Sequence, residues 1–169
     1  MYETPLGDCL AGMIMEPTVY KEMKESIDMD KDDAYFNSGV ILMDLAGWRR
    51  EKCAEENCWI FTGIMQEAFF ACDQDTINGA LNGRILPLSP RYNFFTNYRY
   101  FRYNTLVQLC DAYRAVGKKE FAAAKRRPTI IHFLGDERPW IGGNHNYYGK
   151  WYRKYLAMTP WKDMPYAKG

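Results

Sequence analysis

Two carboxylates flank an amide in the segment Asp73-Gln74-Asp75, which begins a predicted helix that runs through Leu81. The Asp73 and Asp75 oxygens suit the free backbone N–H groups at a helix start, so helix capping is one interpretation. The other is a polar site in which the carboxylates hold sugar hydroxyls and the Gln74 amide lies near a reacting carbon. Local sequence leaves both interpretations open.

A second chemical signal surrounds His132, in a short buried strand predicted over residues 129–133. Ligand groups in α/β folds collect at the C-terminal ends of such strands. A neutral imidazole there is a ligand for a divalent metal, and the alternative is a core histidine whose hydrogen bonds are satisfied. Gly135 lets the backbone approach an anion, and Arg138 offers a planar cation to phosphate. Together these three residues predict a diphosphate site.

Asn37 and Ser38 lie in a third segment, a strand predicted over residues 35–45. Val40-Ile41-Leu42-Met43 is continuously apolar, which is typical of a strand buried on both faces of an α/β sheet. Gly39 follows the two polar residues, and a glycine at such a place often marks the close approach of a backbone or a ligand.

The rest of the chain alternates between strand and helix patterns, which predicts an α/β layered fold. Two more strands are predicted over residues 9–15 and 84–88. Residues 46–71 predict two helices with a break near Asn57 or Gly63. Further helices are predicted over residues 17–27, 104–116, 118–125 and 147–158.

Composition limits the classes of function. The 169 residues carry a net charge of +1, so we expect no nucleic-acid partner. The five cysteines include no C-x-x-C pair, which argues against a disulfide framework and favours a reducing cytosol. The first residues lack the pattern of a signal peptide, and no segment is apolar enough to cross a membrane. We therefore expect a cytoplasmic protein with at most peripheral contact to the inner face of the membrane.

Four segments, taken in order, resemble the motifs of glycosyltransferase family 8 and cover about residues 1–140. Phe36-Asn37-Ser38-Gly39-Val40 resembles the N-S-G-V strand of that family. Asp73-Gln74-Asp75-Thr76-Ile77-Asn78 resembles its D-Q-D-x-x-N motif. Pro90-Arg91-Tyr92-Asn93 is similar to its P-x-Y-N segment. His132-Phe133-Leu134-Gly135-Asp136-Glu137-Arg138-Pro139-Trp140 resembles its H-F-x-G-x-x-K-P-W motif.

The resemblance implies an α/β fold of the GT-A type, a Rossmann-like sheet that binds a nucleotide sugar through a divalent metal, usually Mn²⁺. It implies transfer of a hexosyl group, from UDP-glucose or UDP-galactose, to a glycan or lipid-linked acceptor with retention of configuration, as in bacterial lipopolysaccharide biosynthesis. His132 is then a metal ligand, and Gly135 and Arg138 contact the diphosphate. The set around the donor sugar is Asn37, Ser38, Asp73, Gln74 and Asp75.

Catalysis is assigned by the resemblance to Gln74, Asp73 and Asp75, with Gln74 on the sugar face opposite the leaving group. An amide is a poor nucleophile. We therefore favour front-face displacement, in which the metal and Arg138 stabilise the departing diphosphate.

Two departures from the family pattern lead to further expectations. Arg138 stands where the family has lysine, which keeps the charge and changes the donor geometry. The family's Asp-x-Asp motif, which supplies metal ligands, is not found upstream, and Asp28-Met29-Asp30 has its letters in the wrong place. We therefore expect the C-terminal part of a GT-A fold without its nucleotide-binding half, and an incomplete set of metal ligands. A sheet that lacks strands exposes an edge and favours self-association.

The predicted organisation is a partial GT-A domain over residues 1–146 and an aromatic, basic tail over residues 147–169. The tail is either a helix docked on the core or a peripheral contact to an anionic membrane. The alternative to a transferase is a truncated, non-catalytic remnant that binds carbohydrate or a partner. A metal-dependent hydrolase is disfavoured because His132 and His145 are the only histidines.

Overall fold

A three-stranded sheet forms the centre of the computed structural model, which describes residues 1–65 and 71–167, except for the side chains of Ile60 and Met65. Its strands are β1 (Ala11–Met15), β2 (Phe36–Met43) and β3 (Ile85–Pro87). The order is β2-β1-β3, with β1 antiparallel to β2 and parallel to β3. A β-bulge between Gly12 and Ile14 shifts the register of β1 against β2.

The middle strand and the outer strand differ in burial. All five residues of β1 are buried, as expected for a short apolar run between two neighbours. In β2 only Phe36 and Asn37 are buried, and residues 40–43 are half-buried or exposed. The prediction that this strand is buried on both faces is therefore wrong for the described residues, because Val40, Ile41 and Leu42 keep part of their surface and Met43 is exposed.

Seven helices are described. Their bounds are α1 (Lys21–Glu25), α2 (Leu45–Arg50), α3 (Trp59–Met65), α4 (Cys72–Ala80), α5 (Tyr103–Leu109), α6 (Lys118–Arg126) and α7 (Gly149–Leu156). A π-helical turn, Cys53–Cys58, precedes α3. None of the described helices is long and apolar enough to cross a lipid bilayer.

Two helix predictions need correction. The helix predicted over residues 17–27 is confined to α1, because the chain bends around Lys24, whose buried ammonium donates to the carbonyls of Lys31 and Asp33 at 3.0 and 2.7 Å. The helix predicted over residues 104–116 is divided into α5 and a 3₁₀ helix, Asp111–Val116, with extended backbone at Cys110. The helical prediction for residues 66–70 lies outside the described residues.

Two short parallel strands form a second sheet beside the first. Phe94 and Phe95 form β4, and Ile131 and His132 form β5. The strand predicted over residues 129–133 is therefore shorter than expected, and its two residues are half-buried. Phe94 and Phe95 are fully buried and belong to the main core, so part of the unusual aromatic content supplies the interior of the fold.

Candidate active site

The amino end of α4 is bound to the middle of β2. The backbone N–H of Ser38 donates to the Gln74 amide oxygen at 3.0 Å, and the Ser38 hydroxyl donates to Asp73 at 2.9 Å. These bonds join two segments that are 35 and 36 residues apart in the sequence. The carboxylate–amide pair and the polar part of the strand therefore lie in direct contact, and their role in binding the donor sugar stays a prediction.

Asp75 faces inward and is 1% exposed. It accepts hydrogen bonds from the Tyr35 hydroxyl and from the backbone N–H of Ala71, the latter at 2.6 Å. Burial, together with the bond to Asp75, raises the pKa of Tyr35, so the phenol stays protonated. One turn later, Asn78 binds both the N–H and the carbonyl of Phe36 at 2.7 Å. Asp75 and Asn78 thus fix α4 against the start of β2.

Glu16 follows β1 directly and forms hydrogen bonds to both β2 and α4. One of its carboxyl oxygens accepts from the Asn37 amide at 2.9 Å and from the Gln74 amide at 3.2 Å. The side chain is buried, and this burial raises its pKa, while the two donated hydrogen bonds oppose the rise. The Gln74 amide nitrogen also lies 3.3 Å from the Tyr35 hydroxyl, so both ends of Gln74 are held.

Asn93 carries the network on to His132. The Asn93 amide nitrogen donates to the Asn37 side-chain oxygen at 2.8 Å. The Asn93 amide oxygen therefore faces His132 and lies 2.9 Å from its Nδ1. An amide oxygen can only accept, so Nδ1 carries the proton and Nε2 keeps its lone pair. Burial lowers the pKa of His132 and favours the neutral ring. The ring therefore presents Nε2 as an acceptor or as a metal ligand.

Gly39 leaves the space that this arrangement needs. Its N–H donates to the Asn37 side-chain oxygen at 2.9 Å. A Cβ at this position would lie 2.8 Å from both that oxygen and Cε1 of His132. Any larger residue would push the imidazole away from β2, which explains why the polar strand contains a glycine at this place.

The predicted diphosphate contacts lie in the loop after β5. Gly135 has φ +58°, a left-handed conformation that glycine adopts without strain, and it begins a 3₁₀ helix, Gly135–Glu137. Arg138 is exposed, and its Nε donates to the Gly135 carbonyl at 2.7 Å. Asn144 and Asn146 bind the loop carbonyls of Asp136 and Glu137. Arg138 is thus folded onto its own loop, and the roles of both Gly135 and Arg138 in diphosphate binding stay predictions.

The described residues fit a divalent metal only in part. His132 offers one nitrogen of the correct tautomer and charge. In the part of the chain that the structure describes, no group of three or more His, Cys, Asp or Glu side chains comes together to complete a metal site. Asp28 and Asp30 are exposed in a loop, and Asp30 accepts a hydrogen bond from the backbone of Asp32 at 2.9 Å.

Three residues of the network were not predicted as site residues: Glu16, Tyr35 and Asn93. Glu16 is a carboxylate at the end of a buried strand, directly before Pro17, and this position is a signal that sequence reasoning can use. Asn93 lies in the P-x-Y-N segment, which was noted for its resemblance alone. Tyr35 is one of thirteen tyrosines and carries no local signal.

Comparisons with known proteins match most of this chain to a family. The family model described as "Glycosyl transferase family 8" matches residues 1–142. General stress protein A of Bacillus subtilis is 29% identical over 146 residues, which are 86% of this chain and 48% of that protein. Lipopolysaccharide 1,2-glucosyltransferase of Escherichia coli K12 is 29% identical over 149 residues, 88% of this chain and 41% of that protein. The chain thus spans about half the length, or less, of these relatives.

Solved structures share the fold. The galactosyltransferase LgtC, in complex with donor and acceptor sugar analogs, superposes with a TM-score of 0.69 at 21% identity, over 94% of this chain and 55% of that one. The bifunctional glycosyltransferase WbbM in its apo form gives 0.65 at 19% identity, over 95% of this chain and 30% of that one. These likenesses confirm the predicted α/β fold of the GT-A type.

Proposed function

Because the chain belongs to glycosyltransferase family 8, we propose that it is part of an enzyme that transfers a hexosyl group from a nucleotide sugar to a glycan or lipid-linked acceptor. UDP-glucose or UDP-galactose is the proposed donor, and the configuration is retained. The observation that supports this proposal is the unbroken hydrogen-bond path from Gln74 through Glu16, Asn37 and Asn93 to His132. It joins a predicted sugar-binding group to a predicted metal ligand.

The side chains divide into two proposed roles. Asn37, Ser38 and Asp73 surround the donor sugar, with Asp75 holding the helix start behind them. On the other side, Nε2 of His132 would hold Mn²⁺, and Gly135 and Arg138 would contact the diphosphate. A bound metal supplies Lewis-acid stabilisation of the leaving group.

Gln74 is proposed to stabilise positive charge on the sugar rather than to attack it. Its oxygen accepts from Ser38 and its nitrogen donates to Glu16, so the side chain is held in one orientation. A fixed amide dipole stabilises developing charge without having to reorient. Attack by the acceptor on the same face as the departing diphosphate then retains configuration.

Titration of the full chain with Mn²⁺, followed by UDP-glucose, tests the proposal. The one described histidine ligand predicts weak metal binding, which His132→Ala removes and His145→Ala leaves unchanged. Tight, metal-dependent binding or turnover by this chain would contradict the expected incomplete ligand set. Equal binding by wild type and His132→Ala would contradict the proposed metal ligand.

The alternative is a non-catalytic remnant that binds carbohydrate or a partner, and the partial set of metal ligands among the described residues is compatible with it. Binding of a neutral oligosaccharide that neither Mn²⁺ nor UDP changes would support this alternative. Tighter oligosaccharide binding in their presence would favour the transferase.

The place of the protein in the cell also stays a proposal. We propose a cytoplasmic location, with peripheral contact to an anionic membrane through the tail over residues 147–169. Cosedimentation with liposomes measures this contact. Recovery that does not depend on the fraction of anionic lipid would exclude it.

A further inference from the structure

A cavity of about 600 Å³ lies between the end of α6, β5 and the tail helix α7. This is a volume typical of small-molecule sites. The described residues that line it include four cations and no carboxylate. The cations are Lys125, Arg126, Arg127 and Lys150.

Among the described residues, no salt bridge joins these cations to an acid. The ion pairs found among residues 1–65 and 71–167 involve other lysines and arginines. The Lys125 ammonium donates to the carbonyl of Phe101 at 3.0 Å. Burial, and after it the nearby charge of Arg99, lowers the pKa of Lys125. Like charges gathered at one cavity repel each other, and a bound anion relieves that repulsion.

Aromatic rings form the other wall of the cavity. Tyr147, Trp151 and Tyr155 line it and are 49%, 40% and 61% exposed. The Lys150 ammonium lies 5.2 Å from the Tyr147 ring centre and 5.6 Å from that of Trp151. Exposed rings with polar edges suit the C–H face of a sugar ring, and the cations beside them suit phosphate.

The cavity is separate from the candidate active site. Ile131 and Phe133 line it, whereas His132 between them joins the hydrogen-bond path to Asn93. Successive residues of a strand point to opposite faces. The cavity therefore lies on the face of β5 opposite to the imidazole.

We propose that this cavity is a second binding site, and that its ligand is a phosphate-bearing sugar. The cations hold the phosphate, and Trp151 packs against the sugar ring. If the proposed transferase function is correct, the ligand is a phosphorylated unit of the acceptor, held away from the reacting sugar. Binding itself requires neither metal nor turnover, so it can be tested separately from the proposed function.

Calorimetric titration of the full chain with glucose 6-phosphate, inorganic phosphate and glucose tests this proposal. We expect glucose 6-phosphate to bind more tightly than either of the others. The double variant Arg127→Gln/Lys150→Gln should bind it at least about tenfold more weakly, the loss expected for one charged hydrogen bond. Trp151→Ala should remove the preference over inorganic phosphate, and Trp151→Phe should keep most of it.

The matched control is Lys118→Gln/Lys119→Gln, which removes the same charge from α6 outside the cavity. Equal weakening by both double variants would show general charge attraction and overturn the site. Equal affinity for phosphate and glucose 6-phosphate would overturn the role of the sugar. Binding to vesicles of phosphatidylglycerol is the last measurement. Binding to these vesicles with no binding of glucose 6-phosphate would assign the cavity to a membrane surface and overturn the proposal.

Discussion

At the scale of single residues, Glu16 is the group whose charge matters most for the candidate site. Its carboxyl is 8% exposed and accepts two hydrogen bonds that position Asn37 and Gln74. A carboxylate buried without a cation among its hydrogen-bond partners resists ionisation, which is why its pKa is raised.

Glu16→Gln should therefore change how stability depends on pH. The raised pKa means that the folded protein holds this proton more tightly, so wild type loses stability as the pH rises above the usual glutamate value of 4.5 toward the raised value. Glutamine keeps an acceptor oxygen and has no charge. From pH 5 to pH 8, the free energy of unfolding of the variant should rise relative to that of wild type by on the order of 1 kcal/mol. Urea unfolding at pH 5 and at pH 8 measures this change, and a difference between the two proteins that is the same at both pH values would contradict the prediction.

Asn93→Leu should remove the preference of His132 for the tautomer protonated at Nδ1. Without the amide oxygen, Nδ1 of His132 loses its acceptor, and the proton redistributes between the two ring nitrogens. Nitrogen NMR of histidine-labelled protein should show Nδ1 protonated in wild type and a mixture in the variant. We also expect a loss of about 1–3 kcal/mol of stability, because Nδ1–H of His132 is left without its acceptor and the Asn37 side-chain oxygen loses one of its two donors.

The control for this experiment is His145→Gln, which identifies the His132 signals, since the chain has two histidines. Unchanged His132 nitrogen shifts in Asn93→Leu would contradict the inferred tautomer.

At the scale of elements, the site depends on how closely β2 approaches β5. Gly39→Ala should destabilise the fold by about 1–3 kcal/mol, because the new methyl group overlaps Cε1 of His132 and the Asn37 oxygen. Gly63→Ala in α3 is the matched control. Among the described residues, apart from its chain neighbours and its own helix backbone, no atom lies within 4 Å of the added carbon, so the variant should gain about 0.5–1 kcal/mol. Thermal unfolding compares the two variants. Equal effects on stability would show that β2 and β5 are not closely packed at Gly39.

The burial of β2 also explains where sequence reasoning was wrong about this element. Four successive apolar residues predict a strand covered on both faces. In the described structure, Val40, Ile41 and Leu42 are half-buried and Met43 is exposed, so the faces of β2 are only partly covered. The pattern identified the strand correctly, but its neighbours are a property of the sheet.

At the scale of the whole molecule, no strand lies beyond β2 in the described sheet, and α4 side chains bond its outer backbone at Phe36 and Ser38. The rest of this edge leads to the proposal that the chain associates with itself. Unpaired backbone groups beside apolar side chains favour pairing with another chain. Light scattering should show a species larger than the monomer. Met43→Lys should shift it toward the monomer, since Met43 ends β2 and is 36% exposed. Met158→Lys, in the tail and 75% exposed, is the control. A wild-type monomer would contradict this proposal.

The sequence by itself determined the family, the fold class and the segments that contain the site. These follow from local information: the four motifs are contiguous, and the strand patterns of β1 and β2 and the start of α4 depend on nearby residues. Asp73, Gln74, Asn37, Ser38 and His132 all lie within these motifs.

The tertiary structure decided which atoms of these segments meet. Glu16 bonds to Gln74 across 58 positions, and Asn93 bonds to Asn37 across 56. Such contacts depend on the register of the strands and on the bulge in β1, and short-range patterns do not determine either. For the same reason, the protonated nitrogen of His132, the inward position of Asp75 and the cavity behind β5 were found only when the elements were assembled.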